Sequence, residues 1–255
     1  MPRYPTVLGF DTARAAHWAR RTRDFLISTT TAALLLRDLL TGKVREVWVG
    51  DSHTVYLNRS YVTANLLRGR PGVYVVHLGS RLMYSVAAGG LPLWSRRILT
   101  AVGRLARRPV PMFICLGEID VRCHLAKHGA PGSWPLGFVQ RFVAGTVGFA
   151  DRLGFSPVTF VVPPPPCRDH LSVGLLPVVG DFPTRISAFD ALRAELERRC
   201  RESTTEVRFL DMTPLIFDAD NGIRPELTDD QCHVNPAGAR LLRGAVDALL
   251  ADTTS

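Results

Sequence analysis

The sequence of this protein is poor in lysine and contains no Cys-x-x-Cys pair. Among 31 basic residues only Lys43 and Lys127 are lysines, so arginine carries nearly all of the positive charge. The cysteines number five, which is odd, and their spacing argues against both a disulfide scaffold and a zinc ribbon. We therefore expect reduced thiols, as in the cytoplasm.

Long hydrophobic runs are also missing. The most apolar early run, residues 25–36, contains three threonines and has arginine and aspartate on both sides, and it is too short to cross a bilayer. Residues 1–18 lack the apolar core of a secretion signal. We expect a buried helix here, no membrane span and a cytoplasmic protein.

The formal net charge of +8 is spread along the chain. A nucleic-acid-binding protein more often concentrates its basic residues on one element, so we expect no nucleic-acid partner. The arginines either form a solvated helical surface or create a field that attracts an anionic substrate or an acidic carrier. The expected partner is a small-molecule or acyl-carrier-linked substrate, and no pattern specifies an oligomeric state.

Five strand candidates alternate with helical patterns, and the first four are near-continuous apolar runs rich in valine, isoleucine and phenylalanine. Near-continuous apolar runs are typical of strands that are buried on both faces of a parallel sheet. The alternation predicts an α/β fold with a doubly wound sheet of about five parallel strands. Extra N-terminal helices over residues 1–43 would pack on an α/β domain of residues 44–255, the two forming one structural unit. The predicted strands are residues 44–50, 72–79, 110–117, 157–163 and 206–212.

Polar residues follow these strands at the edge where ligands bind in open parallel sheets. A hydrolytic serine needs a base, a group that orients the base, and donors for the oxyanion. Ser52 follows the first strand and is either a nucleophile or a helix N-cap. His233, before the last helix, could be its base, with Asp230 or the adjacent Asp229 as the orienting carboxylate. Candidate site residues at this edge are Gly79, for its backbone N–H, and the polar residues Asp51, Ser52, His53, Glu118, Asp120, Arg122, His124 and His233.

Two of these blocks resemble the SGNH (GDSL) hydrolase superfamily. Gly50-Asp51-Ser52 resembles its first block, and Asp230-Gln-Cys-His233 resembles its last block, DxxH. The resemblance covers roughly residues 44–250 and implies a three-layer, flavodoxin-like sheet with Ser–His–Asp acyl chemistry. It implies Ser52 as nucleophile, His233 as base, Asp230 as orienting acid and Gly79 as an oxyanion glycine.

The third block departs from the superfamily pattern. Where GxND supplies an oxyanion asparagine, this chain has Gly117-Glu118-Ile119-Asp120, and isoleucine has no hydrogen-bond donor. In this block the sequence resembles more closely a subgroup of bacterial SGNH-like proteins, in which GEID is followed by arginine and histidine. We expect Glu118 to pair with Arg122 or His53, and the cationic partner to face the oxyanion or an anionic substrate.

Two nearby groups have alternative interpretations. His124, which we place in the substrate pocket, and His128 have a spacing that suits zinc on a helix, but the glycines and proline after His128 make a regular helix doubtful. We therefore expect no metal and no cofactor. Cys167, Arg168 and His170 either line the acyl or leaving-group pocket or belong to a surface loop.

Three functions remain open on these residues. The first is a serine-dependent esterase, thioesterase or deacylase that works through an acyl-Ser52 intermediate. The second is an acyltransferase that uses the same acyl-enzyme in glycan or small-molecule biosynthesis. The third is a non-catalytic binding protein on the same fold, which the missing asparagine motivates.

Overall fold

A computed structural model describes residues 8–58, 64–168, 177–228 and 233–251. Helices and strands alternate along the chain, as the sequence pattern predicts. A π-helix (Asp120–Leu125) and a 3₁₀ turn (Pro225–Leu227) supplement the α-helices. The α-helices are α1 (Leu8–Leu40), α2 (Ser52–Leu57), α3 (Met83–Gly89), α4 (Leu93–Leu105), α5 (Ala126–His128), α6 (Gly137–Asp151), α7 (Phe182–Arg201), α8 (Thr213–Ile216) and α9 (Pro236–Ala251).

The central sheet has six strands in the order β2-β3-β1-β4-β5-β6. Five of them are parallel, and their chain order across the sheet, 2-1-3-4-5, is that of a flavodoxin-like doubly wound fold. The predicted fold class is therefore confirmed. The strands are β1 (Glu46–Gly50), β2 (Leu66–Arg68), β3 (Val73–His77), β4 (Val110–Cys115), β5 (Phe155–Val161), β6 (Val207–Leu210), and the pair β7 (Phe217–Asp218) and β8 (Gly222–Ile223).

Alternate residues of the strands supply two hydrophobic layers, one on each face of the sheet. Val47 and Val49 of β1 join the layer formed with α3, α4, α6 and α7. Trp48 points to the other layer, where α2 and α9 pack, and its ring stacks on Phe113 with centroids 4.6 Å apart. Every residue of β1 and β3 is buried, which explains their continuous apolar sequence.

The N-terminal segment forms a single 33-residue helix. The expectation of a buried helix over residues 25–36 is wrong for its first part, since Phe25 and Leu26 are exposed. Leu35 and Leu39 of α1 belong to the first hydrophobic layer, and the Asp38 carboxylate accepts a 2.7 Å hydrogen bond from the Tyr74 hydroxyl of β3. The division into residues 1–43 and 44–255 stays a prediction. None of the helices in the described ranges is both long and apolar enough to cross a membrane.

Two elements differ from the sequence prediction. Strand β2 is an antiparallel edge strand of only three residues, too short to give a clear periodic pattern. The segment before Gly129 is helical, since the π-helix continues directly into α5 and ends at His128. The glycines and proline beyond His128 therefore end this helix instead of preventing it.

Gly50 is a position where the fold excludes any side chain. A Cβ atom there would overlap the Thr54 Oγ1 atom and the Cys115 backbone oxygen of the neighbouring strand. We expect Gly50→Ala to lower the free energy of unfolding by about 1–3 kcal/mol, because the sheet centre must shift to accept the methyl group. Urea denaturation measures the change.

Gly145→Ala is the matched control for Gly50→Ala. Gly145 is exposed on α6, and a Cβ there meets no atom within 4 Å. This variant should equal or exceed the wild type by up to about 1 kcal/mol, because alanine favours helix. Equal stability of the Gly50→Ala and Gly145→Ala proteins would contradict the steric argument.

Candidate active site

Ser52 lies at the carboxyl end of β1, as its sequence context predicts. The chain turns there into α2, and the Asp51 side chain caps the helix by accepting a 3.0 Å hydrogen bond from the His53 backbone N–H. Asp51, not Ser52, is therefore the N-cap. The Ser52 Oγ atom is 2.8 Å from the Nε2 atom of His233. The two residues are 181 positions apart in the chain, so the fold alone brings them together.

The backbone around His233 is held on both sides. The Thr228 hydroxyl donates to the His233 carbonyl oxygen over 2.8 Å, and Thr228 also pairs with Val234 in an isolated bridge. The Asn235 side-chain oxygen accepts 3.0 Å hydrogen bonds from the backbone N–H groups of Ala237 and Gly238. Asn235 thus caps α9 and fixes the start of this helix just after His233.

The His233 ring is in contact with two aromatic rings of α2. The Tyr56 ring stacks on the imidazole with centroids 4.2 Å apart, and the His53 ring lies 4.8 Å away. Tyr56 is not among the site residues predicted from the sequence. The sequence feature that indicates it is its spacing of four from Ser52, which places both side chains on one face of α2. These contacts orient the imidazole whose Nε2 atom meets Ser52.

The predicted orienting carboxylate lies outside the described residues. Asp230 and its alternative Asp229 fall between residues 228 and 233, and His170 falls between residues 168 and 177. The role of Asp230 stays a prediction. Cys167 is buried, while the guanidinium of Arg168 lies over the Phe182 ring with a centroid distance of 4.6 Å.

Glu118 joins both of its predicted partners. Its carboxylate accepts hydrogen bonds from Arg122, from Nε over 2.8 Å and from Nη2 over 3.2 Å, and it lies 3.6 Å from the His53 Nε2 atom. All three side chains are buried. Burial opposes the ionisation of Glu118, but the contacts with His53 and Arg122 outweigh it and lower the pKa of this carboxyl to about 2. A buried ion pair with arginine therefore lies beside the Ser52–His233 pair.

Asp120 has a different role from Glu118. Its two carboxylate oxygens accept hydrogen bonds from the backbone N–H groups of Met83, over 2.6 Å, and Tyr84, over 3.0 Å. Asp120 thus provides acceptors for backbone N–H groups in the first turn of α3, and these hydrogen bonds connect the third block to the segment that follows β3. Burial raises the pKa of this carboxyl to about 7, and burial likewise raises the pKa of Asp51 to about 6.

His124 lies with aromatic residues instead of with Ser52. Its ring centroid is 4.4 Å from Tyr84, 4.8 Å from His128 and 6.1 Å from Phe138. Burial, together with the positive potential of His128 and Lys127, lowers the pKa of His124. Its place in a substrate pocket stays a prediction. Within the described ranges, no group of three or more His, Cys, Asp or Glu side chains could hold a metal ion.

The oxyanion donors of the site are backbone groups if Gly79 has its expected role. Gly79 follows β3 and has a positive φ of 72°, a conformation that favours glycine. The described residues provide no acceptor for the backbone N–H groups of Gly79 and Ser52. Ile119, at the position of the superfamily asparagine, is buried and has no polar side-chain atom to offer.

The fold is that of the GDSL-type hydrolases. A GDSL-like lipase from Bacteroides thetaiotaomicron superposes with a TM-score of 0.54 at 13% identity, covering 82% of this chain and 89% of that one. A candidate acylhydrolase from Bacteroides fragilis gives 0.53 at 17% identity, with coverage of 83% and 88%. A protein from Streptococcus pneumoniae described as a candidate platelet activating factor gives 0.53 at 12% identity, with coverage of 93% and 99%.

Comparison at the level of sequence finds less. No protein family profile matches the chain, and no curated protein matches it. The likeness to the solved structures therefore establishes the fold, and the chemistry must be argued from the residues of the site.

The raised pKa values of Asp51 and Asp120 predict how stability depends on pH. Each carboxyl binds its proton more tightly in the folded chain than in the unfolded chain, where the pKa is near 3.8. These two carboxyls should therefore contribute a loss of stability as the pH rises from about 4 to about 7, by up to about 1.4 kcal/mol per pH unit for each titrating carboxyl. The lowered pKa values of Glu118, His77 and His124 contribute in the opposite direction. Urea denaturation at pH 4.5, 5.5 and 6.5 measures the slope.

Asp120→Asn should make the change in the free energy of unfolding with rising pH less negative, because the amide group carries no titrating proton. Asp151→Asn removes an exposed carboxyl at the end of α6 and is the control that keeps the wild-type slope. Identical slopes in Asp120→Asn and the wild type would show that Asp120 does not titrate in this range.

Proposed function

We propose that this protein is a serine hydrolase that cleaves esters or thioesters through an acyl-Ser52 intermediate. The observation that carries the proposal is the 2.8 Å contact between Ser52 Oγ and His233 Nε2 at the carboxyl edge of the sheet. This distance lies within the reach that a base needs to take the serine proton. The proposal is supported by the general rule that open parallel sheets bind ligands at this edge and by the fold shared with a GDSL-like lipase and a candidate acylhydrolase.

In the first half of the reaction, Ser52 Oγ attacks the substrate carbonyl carbon while its proton passes to His233 Nε2. The tetrahedral intermediate collapses, the bond to the leaving oxygen or sulfur breaks, and the His233 imidazolium protonates the leaving group. In the second half, water attacks the acyl carbon and gives its proton to His233. The bond to Oγ then breaks, the free acid leaves, and Oγ takes the proton back.

Supporting groups have separate roles in this proposal. The backbone N–H groups of Ser52 and Gly79 donate to the oxyanion, and the carboxylate of Asp230 orients His233. Tyr56 stacks on the imidazole and limits its rotation. The buried ion pair of Glu118 with Arg122 positions His53, whose ring lies next to His233.

Ser52→Ala should abolish both turnover and covalent labelling. With p-nitrophenyl acetate as the probe substrate, we expect a loss of at least about a thousandfold in kcat, since removing a nucleophilic serine costs that much or more. A fluorophosphonate probe should label the wild type and fail to label Ser52→Ala. Ser133→Ala, an exposed serine before α6, is the matched control and should retain both activities.

Labelling of Ser52→Ala equal to that of the wild type would refute the assignment of the nucleophile. A folded wild type that is neither labelled nor active would instead favour a binding protein on this fold. Acyl transfer is separated from hydrolysis by adding an alcohol or amine acceptor and measuring whether acyl product is diverted from the free acid.

Arg122→Gln tests the buried ion pair. Without the guanidinium, the Glu118 carboxylate loses both hydrogen bonds from Arg122 and keeps its contact with His53, so its negative charge is less well neutralised. We expect kcat to fall by about tenfold or more with KM little changed, because a buried carboxylate that loses its partner is costly near developing negative charge. The double variant Glu118→Gln/Arg122→Gln removes both charges and should recover part of the loss.

Steady-state kinetics on Arg122→Gln, Glu118→Gln and the double variant measures this coupling, with thermal unfolding as the test of folding. A double variant whose loss in activation free energy equals the sum of the two single losses would contradict the charge-neutralising role. Such a result would assign the pair to stability alone.

A further inference from the structure

A cavity of about 610 Å³ opens at the edge of the sheet where the parallel strands begin. It lies opposite Ser52: β1 separates the two, and its five residues span about 17 Å at about 3.3 Å each. The loops before β1, β3 and β4 and the end of α1 form its walls. The charged residues that line it are Arg37, Asp38, Lys43, Arg45, Arg68 and Arg108.

The lining contains five cationic side chains and a single carboxylate. Asp38 is 1% exposed and holds two of the cations in place. Its Oδ1 atom accepts from Arg37, from Nε over 3.0 Å and from Nη2 over 2.7 Å, and its Oδ2 atom accepts from Arg68 Nη2 over 3.1 Å. The guanidinium groups at this wall are therefore fixed in orientation before any ligand arrives.

Most of the positive charge of the cavity is not neutralised by the protein. Within the described part of the chain, Lys43 and Arg108 form no ion pair. The guanidinium of Arg45 donates to the Pro71 carbonyl oxygen over 3.2 Å and 2.7 Å, so its charge also remains. The Nε atom of Arg68 is buried without a hydrogen-bond partner among the same residues. An acceptor with several negative charges would satisfy these groups.

We propose that this cavity binds a small molecule that carries a multivalent phosphate group. Guanidinium forks match the geometry of phosphate oxygens, and the excess of cations calls for more than one negative charge. The volume lies in the range of small-molecule sites. A concave pocket at the sheet edge fits a compact anion, whereas duplex nucleic acid needs a longer basic stripe. The proposal is independent of the chemistry at Ser52.

Isothermal titration calorimetry with inorganic pyrophosphate at low ionic strength tests this proposal. The wild type should bind one pyrophosphate saturably. Lys43→Gln/Arg108→Gln should weaken the binding at least about tenfold, because two charges that face the cavity are lost. Both residues are exposed, so the fold should survive.

Arg141→Gln/Arg240→Gln is the matched control. It removes the same formal charge from exposed positions on α6 and α9 that do not line the cavity, and its affinity should stay within about twofold of the wild type. The single variant Arg68→Gln provides a second test at the pocket wall, and thermal unfolding shows whether each variant is folded.

Three results would overturn the proposal. The first is the absence of saturable pyrophosphate binding to the wild type up to millimolar concentration. The second is an equal loss in the pocket and control double variants, or unchanged affinity in both pocket variants. The third is displacement of pyrophosphate by a short DNA duplex at lower concentration, which would indicate an extended polyanion surface instead of a small-molecule pocket.

Discussion

The close approach of two backbones at Gly50 is the constraint on which the rest of the site depends. β1 lies in the middle of the sheet, and its last residue is so near the Cys115 carbonyl oxygen that no side chain fits between them. Thr54 uses this proximity, since its hydroxyl donates to the same carbonyl over 3.3 Å. The chain therefore turns into α2 at a fixed point, and Ser52 Oγ is directed to the edge where His233 arrives from the other end of the sequence.

The protonation state of each carboxyl group at this edge depends on the groups that it contacts. Asp51, Glu118 and Asp120 are all buried, yet only Glu118 contacts the side chains of both Arg122 and His53, and only its pKa lies below the ordinary value. Burial raises the pKa of Asp51 and of Asp120, which bond backbone N–H groups instead. At neutral pH the edge therefore combines the ionised Glu118 with an Asp120 that is about half protonated and an Asp51 that is mostly ionised. The proton carried by part of the Asp120 population limits the negative charge at this edge.

Sequence patterns predicted the parts of the molecule that repeat or follow fixed spacing. The inner parallel strands are visible in the sequence because both of their faces are buried, as in β1 and β3. The sequence also predicted that Ser52 and His233 lie at the same edge of the sheet, where their side chains are in contact. Contacts made across the fold were beyond such patterns. The stacking of Tyr56 on His233 depends on where α9 begins relative to α2, and the choice of Glu118 between His53 and Arg122 depended on rotamers. Both partners proved to be in contact.

The missing asparagine changes how the proposed reaction stabilises its oxyanion. A buried Ile119 can exclude water but donates nothing, so stabilisation falls on the backbone N–H groups of Ser52 and Gly79. With fewer donors, nearby negative charge opposes the formation of the oxyanion more strongly. Glu118, which directly precedes Ile119, is the ionised group nearest to that position in the sequence. The Arg122 guanidinium offsets that charge within the protein interior, where Coulomb interactions are strong, and His53 adds a polar contact. On this reasoning the GEID block and the arginine after it form one unit: the glutamate positions His53, and Arg122 makes that carboxylate tolerable beside the reaction.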